Sequence, residues 1–493
     1  MKNLIILVSF LFLPICLTAQ DNDEISLLKA MHTISSHDLL DYVKIQCNDK
    51  YEGRLTGTPG YQECAEWLAD EFMKSGLTPG GDKGTWFQWF NIPYTLVLPG
   101  CGLSLNLAAK DGSTTKKNYM YISEYMPGST SGSGEITGEV VYAGYGITAP
   151  ELGYDDYAGI DVKGKIILIE SEAPVNPAAG PEKFNPWYEH SFHQSKLANA
   201  INHGAVGMLY NYGPIANPNN DYSPGFIYVH VGDSVVRDVF AGTGKSHSDI
   251  VKQITSTLKP ASFNTKKNVT IKMNTQHFDD GKGSNVIGFI KGSDPVLNQE
   301  TIIIGAHLDH LGKCYEVIPG ANDNASAVAV MLGVAKALAQ SKIQLKRTVA
   351  FIAFGAEEQA IMGSKAYIEN PSMPLDKSIL LNMDGVGIGN SIGANAGENF
   401  PELWSFIDSA NRHYIHRQLT TNYFANLGRP RLDAARFLRA GVPSLSFYTY
   451  GSTNHYHTPL DNIEIIKPEI MEDLCQLLFV SVVKMADSPS PLR

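Results

Sequence analysis

The C-terminal part of the chain repeats a pattern that few folds can accommodate. From about residue 284, compact apolar runs such as TIIIGAHLDH, TVAFIAFGAEE and SILLNMDGVG alternate with longer segments of helical periodicity. Strands that are apolar on both faces and alternate with helices indicate a parallel sheet that is covered on both sides. We therefore expect an α/β domain with a mostly parallel, mixed sheet and helices on both of its faces.

The middle of the chain has a different pattern of apolar and turn-forming residues. Between about residues 100 and 270, short apolar runs such as GEVVYAGYGI and GKIILIE alternate with clusters of Gly, Pro and Asn. This alternation is typical of short strands joined by turns. The acidic and histidine residues of this segment do not cluster. We therefore predict a distinct β-rich domain that has no catalytic centre of its own.

The N-terminus carries the features of an export signal. Lys2 precedes a short apolar stretch from Leu4 to Leu17, which small and polar residues follow. The stretch is too short for a comfortable membrane span, so we expect a cleaved signal over residues 1–20 and a periplasmic or extracellular protein. An N-terminal anchor helix is the alternative, and so is lipid attachment at Cys16, which the bulky Ile15 disfavours. No later segment is apolar for long enough to span a bilayer.

Charge and cysteine content exclude several classes of protein. The formal net charge of -11 argues against a nucleic-acid binder, which needs a basic surface. The cysteines outside the signal are scattered and form no CxxC pair, so neither a disulfide framework nor a thiolate metal site is expected. We favour buried free thiols over a single Cys47–Cys64 bridge. The sequence carries no indication of the oligomeric state.

Polar residues follow several of the predicted strands. His307 and Asp309 come directly after IIIGA, the pair Glu357–Glu358 after FIAFGA, and Asp384 after ILLNM. In open α/β sheets the carboxyl ends of the strands build the ligand crevice, so these groups are expected to converge at one edge. Two further residues of the same kind are Asp323, in PGANDNAS before a helix, and His457, in a loop after LSFYTYG.

Imidazoles and carboxylates without thiolates suit zinc or another borderline divalent ion. Two such ions bridged by one carboxylate would bind both the attacking and the leaving oxygen of a hydrolysis. One of two adjacent glutamates can then bind metal while its neighbour moves protons. Taken singly, each motif has an ordinary structural explanation, since a glutamate pair at a helix start is a common solvated pair. Their convergence on one predicted sheet edge favours the metal site.

The motifs HLDHLG, GANDNAS, FGAEEQAIMGS, NMDGVG and HYHTPLDN, in this order, resemble the co-catalytic di-zinc aminopeptidase family. The stretch VVYAGYGITAPELGYDDYAG resembles the protease-associated domain that is inserted into many members. The resemblance covers nearly all of the mature chain. It implies an N-terminal part of the peptidase domain over 21–99, a protease-associated insert over 100–270 and a metal-binding part over 271–493.

The resemblance also implies a role for each site residue. Two zinc ions (Zn2+) would be bound, and Asp323 would bridge them. The other ligands would be His307 and Asp384 on one ion, and Glu358 and His457 on the second.

Two further residues would be catalytic without being ligands. Glu357 would be the general base that takes a proton from the metal-bridging water, and Asp309 would orient the ring of His307. The family has a cis peptide bond after the bridging aspartate, here Asp323–Asn324. His310 and His455 match no ligand position and are expected to be loop or packing residues.

The leading function is an exported zinc-dependent aminopeptidase that hydrolyses N-terminal residues from peptides. A carboxypeptidase or dipeptidase for acidic substrates is the nearest alternative, and the end of the peptide that is trimmed distinguishes them. A glutaminyl cyclase-like acyl transferase would use one zinc ion, and the large insert speaks against it. A non-catalytic binding protein on the same fold would be expected to have lost ligands, whereas this chain retains each of them.

The stretch GRPRLDAARFLRAGVPSL departs from the family pattern. Many relatives have a Ser-Asp-His type sequence where this chain has Leu432, Asp433 and Ala434. This region usually helps to form the substrate pocket, so the residue preference is not defined by the resemblance. Arginines crowd here, and we favour a solvated helix face over recognition of a carboxylate-bearing substrate. They are Arg429, Arg431, Arg436 and Arg439.

Overall fold

A computed structural model of the chain describes residues 24–108, 114–424 and 432–490. The predicted export signal with Cys16 lies outside the described residues, as do Arg429 and Arg431. Within the described ranges, no helix combines the length and the apolarity that a bilayer crossing requires.

The N-terminal segment is mostly helical. Its third helix begins at Pro59, directly after Thr58, whose side chain accepts a hydrogen bond from the backbone N–H of Tyr61. A capping threonine followed by proline in the first turn is a strong helix start. The elements are 24–31 (α1), Ser36–Gln46 (α2), Pro59–Lys74 (α3), Thr78–Pro79 (β1), Phe87–Asn91 (β2) and Tyr94–Val97 (β3).

The middle segment forms a separate mixed sheet in the order β5–β4–β13–β7–β10–β11–β12–β6. Its elements are Gly102–Ala108 (β4), Thr114–Asn118 (β5), Tyr125–Pro127 (β6), Gly134–Tyr142 (β7), Thr148–Ala149 (β8), Tyr154–Asp155 (β9), Ile166–Glu170 (β10), Pro181–Phe184 (α4), His193–Asn202 (α5), Gly207–Asn211 (β11), Ile227–Val231 (β12), Asp233–Phe240 (α6), His247–Thr257 (α7), Phe263–Met273 (β13) and Thr275–Phe278 (β14). The chain enters and leaves this sheet beside β3 and β14, which pair antiparallel. The sheet therefore belongs to an inserted region.

The main sheet has the order β1–β15–β19–β16–β20–β23–β21–β22, with β2 also paired to β15. Its C-terminal elements are Lys282–Ile290 (β15), Thr301–His307 (β16), Lys313–Cys314 (β17), Glu316–Val317 (β18), Ser326–Gln340 (α8), Thr348–Phe354 (β19), Met362–Glu369 (α9), Ser378–Met383 (β20), Ser391–Asn395 (β21), Pro401–Ala410 (α10), Leu419–Thr421 (β22), Asp433–Arg439 (α11), Ser444–Tyr450 (β23) and Pro468–Asp487 (α12). The central strands β19, β16, β20 and β23 are parallel, whereas β15 runs antiparallel to β19, and β21 runs antiparallel to β23 and parallel to β22. The predicted fold class is confirmed.

Helices cover both faces of the main sheet. Ile302 and Ile304 of β16 pack in the core that contains α8 and α12, whereas Ile303 between them packs with α9 and α11 on the opposite face. Every residue of β16 and of β19 is buried. Each large aliphatic side chain that is buried in this way contributes about 1.5–3 kcal/mol. This two-sided burial is why the apolar runs do not alternate with polar residues.

The described cysteines are free thiols. Cys47 and Cys64 do not pair, in agreement with the preferred expectation. Burial raises the pKa of the Cys64 thiol to about 12, so this thiol is unreactive at neutral pH.

Candidate metal centre

Polar side chains that follow neighbouring parallel strands lie at one edge of the main sheet. β16 ends at His307, which pairs with Phe354 at the end of β19, and β20 ends level with them at Met383. The residues that follow these strands therefore lie beside His307. They are Glu357, Glu358 and Asp384.

His307 lies in a first group of possible ligands. Its Nε2 is 3.1 Å from Oδ1 of Asp323 and 3.8 Å from Oδ1 of Asp384. His307 and Asp323 are buried, and Asp384 is partly exposed to the cleft. The ligand atoms of these three residues lie within 4.8 Å of one another, so they could hold one metal ion.

Glu358 lies in a second group, between two imidazoles. Its Oε2 is 3.0 Å from Nε2 of His457, and its Oε1 is 2.9 Å from Nδ1 of His310. Nε2 of His457 is also 3.6 Å from Oδ2 of Asp323. His310, Asp323 and Glu358 could likewise hold an ion, so Asp323 is shared by the two groups, as a bridging carboxylate would be.

Several of these buried atoms make no hydrogen bond of good geometry in the described part of the chain, although polar atoms lie close to them. They include Oδ1 of Asp323, Oε1 of Glu358 and Nε2 of His457. Buried polar atoms are nearly always hydrogen-bonded, so a convergent set without partners requires an explanation. Carboxylate oxygens and imidazole nitrogens that face one another are the donor set that zinc prefers. The residues therefore fit a pair of divalent ions.

The electrostatics of the cluster agree with this fit. Burial raises the pKa of Glu357 well above its ordinary value, and the adjacent Glu358 adds to the rise. Burial alone would lower the pKa of His457, but the carboxylates of Glu358 and Asp323 raise it to about 10. The cluster therefore holds more negative charge than its imidazoles neutralise, and it favours a bound cation.

Asp309 supports the site through its main chain and its carboxylate. Nδ1 of His307 is 3.1 Å from the backbone carbonyl oxygen of Asp309, which leaves Nε2 of the ring for the metal. The fully buried carboxylate accepts hydrogen bonds from the backbone N–H of Glu357 at 3.1 Å and of Glu358 at 3.2 Å. The side chain of Asp309 thus positions both glutamates, and its carbonyl oxygen is the nearer partner of the His307 ring.

The loop that carries Asp323 is held by polar side chains on both sides. The Asp323–Asn324 peptide bond is cis, as the resemblance implies. The backbone N–H groups of Asn322 and Asp323 donate to the two oxygens of Asp461, at 2.8 and 3.0 Å. Asn324 donates from its side chain to the carbonyl oxygen of Met383, at the end of β20. The loop is therefore tied to the strand that precedes Asp384.

The inserted region reaches the second group through its backbone. Nδ1 of His457 lies 2.8 Å from the carbonyl oxygen of Ala216, and the backbone N–H of Ala216 donates to the carbonyl oxygen of His457 at 3.1 Å. This pairing directs Nδ1 away from the cluster and Nε2 towards Glu358. The insert therefore fixes the orientation of one of the predicted ligands.

Sequence reasoning missed some of the residues that build the site. His310 was expected to be a loop or packing residue, but it lies against Glu358. The fully buried Arg54 fixes the position of His310, whose backbone N–H donates to the carbonyl oxygen of Arg54. The guanidinium group of Arg54 donates to the carbonyl oxygens of Leu308 and Gly320. Both residues belong to motifs that the sequence shows: His310 is the second histidine of HLDH, and Arg54 lies in the N-terminal motif YEGRLTG. The contact of Ala216 is made by the main chain and has no sequence signature. His455, the other histidine without a ligand position, accepts hydrogen bonds from Thr458 in a local turn.

The cluster opens into a cleft. A cavity of about 450 Å³ is lined by Asp323, Glu357, Asp384 and His457, among others. A second cavity of about 420 Å³ meets it at Glu357, Glu358 and Tyr456 and runs between the insert and α11. Glu357 thus faces the solvent space on both sides of the metal cluster.

Comparisons with known proteins agree with this arrangement. Residues 285–482 match the model of peptidase family M28. Aminopeptidase YwaD of Bacillus subtilis (strain 168) is 27% identical over 471 residues, which are 91% of this chain and 85% of the relative. Among solved structures, an aminopeptidase from Aneurinibacillus sp. strain AM-1 superposes with a TM-score of 0.64 at 21% identity, over 94% of this chain and 96% of that chain. The zinc aminopeptidase BSAP from Bacillus subtilis gives 0.60 at 20% identity, over 93% and 97%. The likeness to these structures shows a shared fold over nearly the whole chain.

Proposed function

We propose, from the match of residues 285–482 to peptidase family M28, that the chain is an exported zinc-dependent aminopeptidase that releases N-terminal residues from peptides. The observation that carries the proposal is the pair of ligand groups that share Asp323 at the floor of a cleft, with Glu357 beside them. Full-length similarity to proteins described as aminopeptidases supports the exopeptidase activity. Export rests on the N-terminal sequence alone.

We assign two zinc ions to the site. His307 and Asp384 would hold one ion, Glu358 and His457 the other, and Asp323 both. His457 is a better ligand than His310 because metal-binding imidazoles usually donate their second N–H to an oxygen, as His457 does towards Ala216. Neither ring nitrogen of His310 makes a hydrogen bond of good geometry within the described residues, although its Nδ1 lies 2.9 Å from Oε1 of Glu358. When bound, zinc polarises a scissile carbonyl group and lowers the pKa of water.

Glu357 would act as the general base. Its backbone is fixed by Asp309, and its side chain lies where the two cavities meet. It would take a proton from the attacking water and pass that proton to the leaving amine. Burial raises its pKa, which makes the ionised side chain a stronger proton acceptor. These two roles explain why two glutamates are adjacent: Glu358 would bind metal, and Glu357 would transfer protons.

The insert would complete the site. We propose that residues 100–270 are a protease-associated domain between the two parts of the peptidase domain, 21–99 and 271–493. The contact between Ala216 and His457 supports a role of this domain in the site, because it orients a proposed ligand. A non-catalytic binding protein on this fold is disfavoured, because each proposed ligand and the base are present.

Peptide hydrolysis by the zinc-loaded mature protein tests the proposal. Zinc per chain would be measured by elemental analysis, and products would be identified by mass spectrometry on peptides with free or acetylated N-termini. We expect single residues to be released from the free N-terminus, and no cleavage of the acetylated peptides. Release of C-terminal residues, or no hydrolysis by protein that carries two zinc ions, would overturn the proposal.

A further inference from the structure

The second cavity leads from the proposed base towards two arginines. It reaches Glu357 at its floor, and its walls come from the insert on one side and from α11 on the other. Because it meets the metal-side cavity at Glu357, a peptide whose scissile bond lies there would extend into both cavities. One cavity would take the N-terminal residue, and the other would take the leaving part of the peptide.

Arg436 is half-buried in the wall of this cavity, and the nearest acidic groups among the described residues, Asp433 and Glu369, act on it only from a distance. Its Nη2 donates to the carbonyl oxygen of Ala360 at 3.2 Å, whereas its buried Nε has no hydrogen-bond partner among the described residues. No ion pair of Arg436 with a carboxylate occurs in the described part of the chain. A guanidinium that is partly desolvated without an anion is costly. Arg436 therefore does not fit the solvated helix face that the sequence favoured.

Arg439 lies one turn further along α11 and lines the same cavity. It is exposed, and its Nη2 donates to the hydroxyl oxygen of Tyr188 in the insert at 2.6 Å. Like charges three residues apart on a helix repel each other, and burial together with Arg439 lowers the pKa of Arg436. An anion between the two guanidinium groups would relieve this repulsion and would satisfy the buried Nε of Arg436.

The two cavities share Glu357 and Glu358 but differ in the charged residues of their remaining walls. The metal-side cavity is lined by carboxylates, which suit the free ammonium group of a peptide. The other cavity carries Arg436 and Arg439, together with the exposed Glu189 and the polar side chains of Gln194 and Asn219. Guanidinium groups bind carboxylates through paired, charge-assisted hydrogen bonds.

We propose that Arg436 and Arg439 bind a carboxylate on the leaving side of the peptide, so that the enzyme prefers substrates with a negative charge beyond the scissile bond. This inference rests on the proposed function and defines its substrate class. The carboxylate is either the C-terminal α-carboxylate of a short peptide or an acidic side chain close to the cleaved bond. In either case it occupies the cavity between the insert and α11.

Matched peptides distinguish the two sources of the carboxylate. The zinc-loaded protein would be assayed on Leu-Ala-Ala as the free acid and as the amide, and on Leu-Glu-Ala-amide against Leu-Gln-Ala-amide. We expect kcat/KM to be higher by about tenfold or more for the charged member of at least one pair, mainly through KM. A preference in the first pair assigns the α-carboxylate, and one in the second pair assigns the side chain. Equal kcat/KM within both pairs would overturn the inference.

The variants Arg436→Gln and Arg439→Gln locate the preference. Each variant is expected to bring the ratio of kcat/KM for the charged peptide to kcat/KM for the neutral peptide towards one. The control Arg412→Gln, which alters an exposed arginine elsewhere on the surface, is expected to leave this ratio unchanged. Thermal unfolding of each protein shows whether it folds. If Arg436→Gln does not fold, the exposed Arg439 still provides the test. A ratio that both folded variants retain would place the carboxylate elsewhere and overturn the assignment.

A binding measurement separates this inference from the proposed function. Isothermal titration of the Glu357→Gln protein with the same peptides requires no hydrolysis. We expect tighter binding of the charged peptide by about tenfold, and loss of this difference in the double variant with Arg436→Gln. Absence of hydrolysis together with this binding difference would contradict the aminopeptidase function alone. Equal affinities for charged and neutral peptides would contradict the carboxylate site alone.

Discussion

Both sheets contain parallel strands that end in residues able to bind metal, but among the described residues the groups that could hold an ion lie at the main sheet. In the inserted sheet, β10 ends at Glu170, whose oxygens lie 2.6 Å from Nδ2 of Asn211 and 2.7 Å from Nε2 of His247. In the main sheet, β16 ends at His307 beside buried carboxylates that lack hydrogen-bond partners in the described chain. A strand-end acid is therefore not a site in itself. The site is distinguished by polar atoms that converge and that make no hydrogen bond with the described part of the protein.

Replacing Asp323 with Asn should have the largest effect. The amide keeps the size of the side chain but removes the charge that faces both His307 and His457. We expect the protein to lose its zinc and kcat/KM to fall by about a thousandfold or more. Elemental analysis and a peptide assay measure the two losses. The matched variant Asp376→Asn, at an exposed position, should keep both metal and activity. Unchanged zinc content in Asp323→Asn would remove this residue from the metal centre.

Replacing Glu357 with Gln separates chemistry from metal binding. The amide cannot accept a proton, so we expect kcat to fall by about a hundred- to ten-thousandfold. Zinc content should stay the same because Glu357 is not a proposed ligand. Steady-state kinetics and elemental analysis on the same preparation test both parts. A variant that kept its kcat would contradict the role of base, and one that lost zinc would make Glu357 a ligand.

Replacing Glu170 with Gln should produce the opposite result in the inserted sheet. His247 and Asn211 would lose a charged acceptor in a buried setting, at a cost of about 1–3 kcal/mol. We expect a lower midpoint of thermal unfolding, with zinc content and kcat/KM unchanged. Differential scanning calorimetry and the peptide assay are the measurements, and Glu135→Gln at the exposed start of β7 is the control. Loss of zinc in the Glu170 variant would show that the two sheets are not independent in this respect.

The pair of Glu170 and His247 also makes the stability of the folded state depend on pH, which is a smaller effect. The hydrogen bond with Glu170 raises the pKa of His247 above its ordinary value of about 6.5, although burial opposes this. The protonated imidazole therefore stabilises the folded state below pH 6.5, and this contribution, of about 1 kcal/mol, is lost as the pH rises through the folded pKa. Thermal unfolding of the wild type and of His247→Gln should differ more at pH 5 than at pH 9. A difference that does not vary with pH would contradict the charged pair.

The sheet could be predicted because its strands are buried on both faces. A run such as TIIIGAH has few alternatives once helices flank it, and the parallel arrangement then dictates that His307 and the residues after β19 and β20 meet. The antiparallel edges are less visible in the sequence. The second half of β15, VIGFI, is as apolar as the parallel strands, and the direction of the strand depends on its pairing with β2 and β19 rather than on its own residues.

The supporting contacts of the site could not be predicted from residue types. Asp461 holds the Asp323 loop through backbone N–H groups, and Arg54 binds carbonyl oxygens in two loops. Any sequence offers such backbone groups, so only the path of the chain determines which of them are used. The same limit applies to Asp309, whose carboxylate accepts hydrogen bonds from the main chain of the two glutamates and also lies 3.7 Å from the His307 ring that the sequence suggested.

The pairing of Ala216 with His457 joins positions that are 241 residues apart, across two sheets. An imidazole has its binding orientation only after both sheets have formed and docked, and closing so long a loop is a slow step of folding. A chain that is still unfolded therefore presents scattered histidines and acids with little affinity for zinc. If His457 binds zinc as proposed, retention of the ion would therefore report that both sheets have formed and docked.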